Sequence, residues 1–516
     1  MARHGAVKSS GGVQKAASVA QRLREFNRML VFVMVYLSFC AFNFGYDVGT
    51  FGGVQAMRSF AEEFGEYDEE KKMYALPGWL SSVMTATPFL GKAVGCAVSG
   101  WMAEKWGRRR AILLMCTLSF VGAVLQTSAK TAAQFTVGRV LIFAMTGFVI
   151  VVLPLFQAEV SPKAIRGMFG SMLQLMIVLG QVTATLVSYG THDLPDSRAW
   201  KIPVGLQLVL PFVTVLLLPL LPESPRWLLS QGRAEDAAGS LARLRPRASA
   251  EDIQVEIKAI LHAHADQAKG TWAEVFDRKN RIRTGVAVLA MFGQQITGQT
   301  FPSQYGVIFY QTQGFASRAF LFNVAASIVS LGAVIMTWLY VDEVGRRPVL
   351  LTGGLCMGLS LFMLGGVASA SQEQLDRGLR HLIVASILLF CFFFNLSWAP
   401  ISYIVVSETA ALRVKEKTNL LACVVSVLTA FATSFSTPYL INPHYANLGG
   451  KVGYIFGSFN LVMVVATFFC IPELKGRTLE EVDQLFESGV PLRRFGSVRT
   501  KTAQEMYDED FGHDTR

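Results

Sequence analysis

Two stretches, MAEKWGRRRAILL at 102–114 and YVDEVGRRPVLLT at 340–352, each set a Gly-Arg-Arg turn between long apolar runs. Gly107-Arg108-Arg109 follows the second such run and Gly345-Arg346-Arg347 the eighth. Two further signatures are duplicated in the same order. Glu159 stands seven residues before Arg166 after the fourth run, and Glu408 seven before Lys415 after the tenth. Pro222-Glu223 closes the sixth run and Pro472-Glu473 the twelfth. An ordered repeat of about six helices marks two bundles related as parallel copies, facing each other across a central cavity.

The runs themselves are roughly 20 residues long, what a helix rising about 1.5 Å per residue needs to cross about 30 Å of hydrocarbon. With 52% hydrophobic and 16% charged residues, the 516-residue chain is far more apolar than a soluble domain. The expected fold is an all-α membrane protein of about twelve transmembrane helices in two six-helix bundles. Its parts are an N-terminal tail (1–28), a first bundle (29–221), a polar central loop with short helices (222–283), a second bundle (284–472) and a C-terminal tail (473–516). The first run is long and contains Asp47 and several glycines, so it does not read as a removable secretory leader. The seven cysteines lie inside apolar runs without metal or disulfide spacing and read as packing thiols.

Lys and Arg concentrate on one side: Lys105 with Arg108 to Arg110, Lys163 with Arg166, Arg346 with Arg347, and Arg413, Lys415 and Lys417. The opposite side carries the acidic segment from Glu62 to Glu70. Loops rich in Lys and Arg stay cytoplasmic, which puts both termini in the cytoplasm. This asymmetry, with a basic N-terminal tail near anionic lipid, accounts for the net charge of +10 without a nucleic-acid partner.

Taken together, the ordered motifs resemble the sugar-porter family of the major facilitator superfamily, particularly its fungal members. They are Gly45-Tyr46-Asp47, Gly107-Arg108-Arg109, Gly138-Arg139, Glu159-Val160-Ser161-Pro162 with Arg166-Gly167, and Pro222-Glu223-Ser224-Pro225-Arg226-Trp227. In the second half they are Gln294-Gln295-Ile296-Thr297-Gly298, Gly345-Arg346-Arg347, Ser407-Glu408, and Pro472-Glu473 with Lys475 to Glu481. The resemblance implies the major facilitator fold and transport of a small polar solute by alternating access.

Glu159 and Glu408 can accept bidentate bonds from arginines such as Arg109, Arg166, Arg226 or Arg347. Such bridges would latch the cytoplasmic ends and bias a two-state equilibrium. The expected gate set is Glu104, Arg108, Arg109, Glu159, Arg166, Glu223, Arg226, Arg346, Arg347, Glu408 and Lys415. Glu104 stands where the family has Asp, and Lys415 where it has Arg; lysine loses the planar fork and weakens the C-terminal latch.

Asp47 and Arg139 are ionisable groups within membrane spans, where a charge must pair or face water. They read either as a static ion pair or as the proton-coupling site. Lys92, also inside a span, reads as structural, as part of the cavity rim, or as a substrate contact.

A sugar-like solute needs neutral donors and acceptors with aromatic faces. Gln174, Gln294 and Gln295 match the family's sugar-binding glutamines by motif, and Tyr305 extends that face. Four expected contact positions depart from the hexose pattern: Thr300 and Ser330 replace Asn, Tyr403 replaces Trp, and Ser426 stands where an Asn-Trp pair is usual. Gly293, Gly298 and Pro302 in the seventh run and Pro400 in the tenth can free backbone groups and let the helices bend.

No nucleophile–base pair, phosphate loop or metal-ligand cluster is evident, so neither enzyme activity nor a metal or cofactor is expected. The sequence thus points to a monomeric multi-pass carrier in the plasma membrane. Its partners are lipid and a sugar or polyol, with protons if it is a symporter. A non-transporting sugar sensor and an exporter of a hydroxylated metabolite are the alternatives.

Overall fold

The computed structural model describes residues 27–69, 72–161, 166–265, 270–370, 377–442, 444–477 and 479–498. Ten stretches of these residues are long and apolar enough to cross a membrane. One of them, Arg281–Thr337, runs through two successive helices, and Gly78–Trp106 has the length with 29 residues. Separating the first and adding the second gives twelve.

In chain order they are α1 (Arg28–Val54), α2 (Gly78–Trp106), α3 (Arg108–Thr127), α4 (Ala132–Val160), α5 (Arg166–Thr191) and α6 (Arg198–Leu220). The second set is α7 (Arg281–Ile296 and Thr300–Tyr310), α8 (Ala319–Val344), α9 (Arg346–Ala368), α10 (Arg377–Leu396 and Trp398–Thr409), α11 (Lys415–Ile441) and α12 (Val452–Cys470). In the first set α2 packs on α4, α1 on α5 and α3 on α4; in the second α9 packs on α12 and α10, α8 on α10, and α7 on α11. The two sets meet where α2 crosses α11, α5 crosses α8, and α1 meets the latter part of α7.

The repeated Gly-Arg-Arg is a clasp inside each half. Gly107 has φ 91° and ψ 169°, and Gly345 has φ 102° and ψ 167°, a region that only glycine enters readily. A Cβ at either position would come within 2.7 Å of a carboxylate oxygen, from Glu223 and Glu473 respectively. Those carboxylates cap the next helix. Glu223 accepts from the backbone N–H groups of Arg108 (3.0 Å) and Arg109 (3.2 Å), and Glu473 from those of Arg346 (3.2 Å) and Arg347 (2.9 Å). A carboxylate satisfies the orphan donors and favours the positive end of the helix dipole.

The latch expected from the sequence is therefore redrawn. Glu159 is held by Arg108, with bonds of 2.8 and 2.5 Å from Nε and Nη2, and Glu408 by Arg346, at 3.2 and 2.9 Å. Arg109 and Arg347 are not these partners: their guanidiniums donate to the carbonyls of Leu218 and Phe468 at the ends of α6 and α12. Arg226 is exposed. Lys415 is half-buried within electrostatic reach of Glu408, Glu104 offers its backbone carbonyl to Trp227 Nε1 at 2.7 Å, and the Arg166 side chain lies outside the described residues. Each ion pair joins helices of one half, because the arginine starts the helix beside the one that ends in the glutamate.

The central loop forms short helices, Pro225–Ser230, Ala234–Leu244, Ala250–Ala265 and Trp272–Phe276. The first three share a small core of Trp227, Leu228, Leu241, Ile253 and Ile257. Thr271 and Glu274 close a capping box on the fourth, and the backbone hydrogen bond from Thr271 holds the Glu274 carboxyl below its ordinary range. The C-terminal tail is more than a polar extension. Helix Leu479–Glu487 and the turn Leu492–Ser497 bury Val482, Leu485 and Phe495 together with Leu474. Arg283 at the start of α7 bonds Asp483 of that helix.

Gly107→Ala should cost roughly 1–3 kcal/mol, from forbidden backbone and the clash with Glu223, whereas Gly285→Ala, inside a helix with open space at its Cβ, should be neutral or stabilising by up to about 1 kcal/mol. Thermal unfolding of the two purified variants, followed by loss of the monodisperse peak, checks the contrast.

Candidate transport site

Two helices break at the centre of the second half. In α7, Pro302 has no N–H for the Gly298 carbonyl, and the Phe301 N–H turns to Gly298 (3.1 Å) instead of reaching Thr297. The Thr297 carbonyl is satisfied by Asn460 Nδ2 of α12 at 3.0 Å. Gly298, at φ 97°, makes the turn. In α10, Pro400 cannot donate to Leu396, and Thr337 Oγ1 of α8 approaches the Leu396 carbonyl at 3.2 Å. Irregular backbone at membrane depth survives only where protein groups replace these bonds.

The glutamine pair bridges the two breaks. Gln294 is 4% exposed and its Nε2 donates to the carbonyl of Ala399 (2.8 Å), just past the α10 break. Gln295 is half-buried and donates to Gln294 Oε1 at 3.1 Å. Of the other expected solute contacts, Thr300 lies 3.4 Å from the Thr433 hydroxyl of α11, and Tyr305 donates to the Ser434 carbonyl at 3.1 Å. Ser330 turns back to Ala326 of its own helix (2.8 Å) and Ser426 is buried. Gln174 is half-buried, and Tyr403 is 39% exposed. Gln295, Tyr403 and Gln174 thus keep exposed surface, while Thr300, Tyr305, Ser330 and Ser426 are closed in.

The closing-in has an identifiable source. At the end away from the tails, Gln55 donates to the Gln304 carbonyl, Gln311 Nε2 to Ala56 (3.2 Å) and Ser82 to Phe435 (2.9 Å). All three bonds cross from one half to the other. A Cβ on Gly52 would stand 2.6 Å from the Ser303 carbonyl, so α1 and α7 touch backbone to backbone there. Sequence reasoning did not single out Gln55, Gln304 or Gln311. The available signal was the stripe Thr300, Gln304 and Gln311, polar residues at helical spacing in the seventh apolar run.

Asp47 and Arg139 line one small cavity with Thr50, Phe51, Gln126 and Gln207. They do not form an ion pair, so the static-pair expectation is not met. Both carboxylate oxygens of Asp47 are buried without a hydrogen-bond partner, as is Nη2 of Arg139. Arg139 instead donates to the Met84 carbonyl at 3.0 Å and stacks on Phe51, 3.5 Å from its ring centre. An ionised carboxylate there needs a donor and a protonated one does not, so the two states place different demands on Arg139.

Asn460→Leu keeps the branched shape and heavy-atom count of the side chain but removes the donor to Thr297. Orphaning that buried carbonyl should cost about 1–3 kcal/mol, read as a lower thermal midpoint of the purified protein.

This arrangement of broken helices and glutamines is found along with extensive likeness to known carriers. The family described as "Sugar (and other) transporter" matches residues 33–486. The high-affinity glucose transporter ght2 of Schizosaccharomyces pombe is 28% identical over 92% of this chain and 90% of its own length. The major facilitator-type transporter ecdD of Aspergillus rugulosus is 30% identical over 88% and 87%. Among solved structures, the inward-open xylose transporter XylE of E. coli superposes with a TM-score of 0.73 at 21% identity, covering 88% of this chain and 99% of that one. With the duplicated clasp present in both halves and the match spanning both bundles, the chain belongs to the sugar transporter family of the major facilitator superfamily.

Proposed function

We propose that this carrier moves a sugar or sugar-like polyhydroxylated solute by alternating access, with units 29–221 and 284–472 rocking about the central cavity. The observation that carries the reading is the Gln294–Gln295 amide chain laid across the breaks of α7 and α10. Amides both donate and accept, as a solute rich in hydroxyls requires. The glucose transporters among its relatives support a sugar as cargo. The basic loops and both tails face the cytoplasm under the positive-inside rule. On that orientation the contacts of Gln55, Gln304 and Gln311 form the outer gate. The protein acts as a monomer in the plasma membrane.

Transport is coupled to protons through Asp47. A proton on Asp47 removes the demand for a donor, and loss of the proton draws Arg139 away from Met84 and Phe51, shifting α1 against α4. The shared cavity and the unpaired carboxylate support this reading. The clasps of Arg108–Glu159 and Arg346–Glu408 keep each half rigid while the halves move.

In a yeast strain lacking its own hexose carriers, Gln294→Ala should raise the half-saturating glucose concentration roughly tenfold, the loss of about one hydrogen bond to a buried group. An unaltered uptake curve at equal surface expression refutes the assignment. Asp47→Asn should leave an uptake that no longer responds to a collapsed proton gradient; a response equal to that of the wild type removes Asp47 from the coupling.

A further inference from the structure

Lys92 has no role in the reading above. It is the midpoint of Gly78–Trp106, about 21 Å from either helix end at about 1.5 Å per residue, too deep for its stem to carry the ammonium to the bilayer surface. It is half-buried, and its Nζ lies 5.3 Å from the centre of the Phe44 ring on α1. No carboxylate of a described residue pairs with it. The ionisable groups within electrostatic reach of its charge are the thiols of Cys96 on α2 and Cys423 on α11, and the same two thiols lie in reach of Tyr403 on α10. Lys92 therefore stands where α1, α2, α10 and α11 converge, on the boundary between the halves.

Ser82, about 15 Å along α2 from Lys92 at about 1.5 Å per residue, already bonds α11 at Phe435. Asn419, one turn from Cys423 and on the same face of α11, has a buried Oδ1 without a partner. At mid-membrane depth the described spans hold two cations, Lys92 and Arg139, against the single carboxylate of Asp47. Asp47 faces the separate cavity it shares with Arg139. Water can solvate the ammonium while the cavity is open, but closure of the halves around a neutral solute would strand it.

We propose that Lys92 is an anion subsite of the transport cavity, and that the solute is a polyhydroxylated monocarboxylate, a sugar acid. This rests on the cavity being a site for polyhydroxylated solutes. The ammonium takes the carboxylate, the Tyr403 ring and hydroxyl and Asn419 Oδ1 meet the adjoining hydroxyls, and the glutamine pair holds the far end. A single lysine, a point charge without the planar guanidinium fork, suits one negative charge better than a doubly charged phosphate. The replacement of hexose-contact residues at Thr300, Ser330, Tyr403 and Ser426 fits a cargo other than a neutral hexose.

The test uses the full chain, both purified in detergent and expressed in hexose-carrier-deficient yeast, with gluconate, glucose and glucose 6-phosphate as probes. Gluconate at a pH where it is fully ionised should raise the thermal midpoint of the wild-type protein and enter the cells, and glucose 6-phosphate should do neither. Lys92→Gln should reduce the gluconate-to-glucose ratio of uptake efficiency roughly tenfold, the loss of one charge-assisted bond, and Lys92→Arg should recover most of it. Uptake of glucose with no binding or uptake of gluconate overturns the sugar-acid inference and leaves the sugar-transport reading standing. Failure of both glucose and gluconate overturns both. A ratio unchanged in Lys92→Gln, or stabilisation by glucose 6-phosphate equal to that by gluconate, removes Lys92 as a carboxylate subsite. The wild-type arms do not depend on any variant folding.

Discussion

Hydrocarbon offers no hydrogen bond to a peptide group, and most of this architecture answers that constraint. Proline inside α2 and α11 frees one carbonyl in each, which Arg139 and Tyr305 of other helices satisfy; α7 and α10 are the exceptions whose helix is interrupted by non-helical residues. The exceptions are bought with side chains: Asn460 reaches the Thr297 carbonyl and Thr337 the Leu396 carbonyl. Neither donor is on the broken helix. Both interruptions lie inside the second half, where α12 and α8 supply the donors, and there the glutamine pair finds two helices with irregular backbone to bridge.

The same constraint, moved to the membrane surface, explains the duplicated clasp. The first N–H groups of α3 and α9 lack intrahelical partners, and Glu223 and Glu473 supply them from the ends of α6 and α12. Glycine at 107 and 345 admits those carboxylates, which a Cβ would exclude. The arginines then take the carboxylate that closes α4 or α10. Three helices of each half are locked at one end by four side chains, Arg108, Arg109, Glu159 and Glu223 in the first and Arg346, Arg347, Glu408 and Glu473 in the second. Buried pairs of this kind add specificity of arrangement more than stability.

The proposed motion takes place between the halves. There the contacts are of another sort: single amide and hydroxyl bonds from Gln55, Gln311 and Ser82 to carbonyls across the gap. Each contributes about 0.5–1.5 kcal/mol net, small enough to be broken and remade as the halves rock. Asp47 and Arg139 line a cavity built from the first half, with Arg139 in electrostatic reach of Tyr305 across the boundary. Lys92 sits over Phe44 of the first half within electrostatic reach of Cys423 of the second.

The sequence by itself determined the membrane class, the number of helices, the repeat and the family, because hydropathy and turn chemistry are local and each motif marks a helix end. It also placed the helix breaks close to Gly298 and Pro400. It misassigned the latch, since which of two adjacent arginines meets Glu159 depends on the rotation of α3 against α4, and that is set by packing. Gln55, Gln304 and Gln311 were passed over because amides look alike in an apolar run until the two halves close on one another. Beyond Glu473, only docking against α7 shows why Val482, Leu485 and Phe495 are spaced as they are. Partners far apart in the chain, and the choice between an ion pair and two charges facing a shared cavity at Asp47 and Arg139, were decided by tertiary structure alone, because both depend on distances between helices that no local pattern encodes.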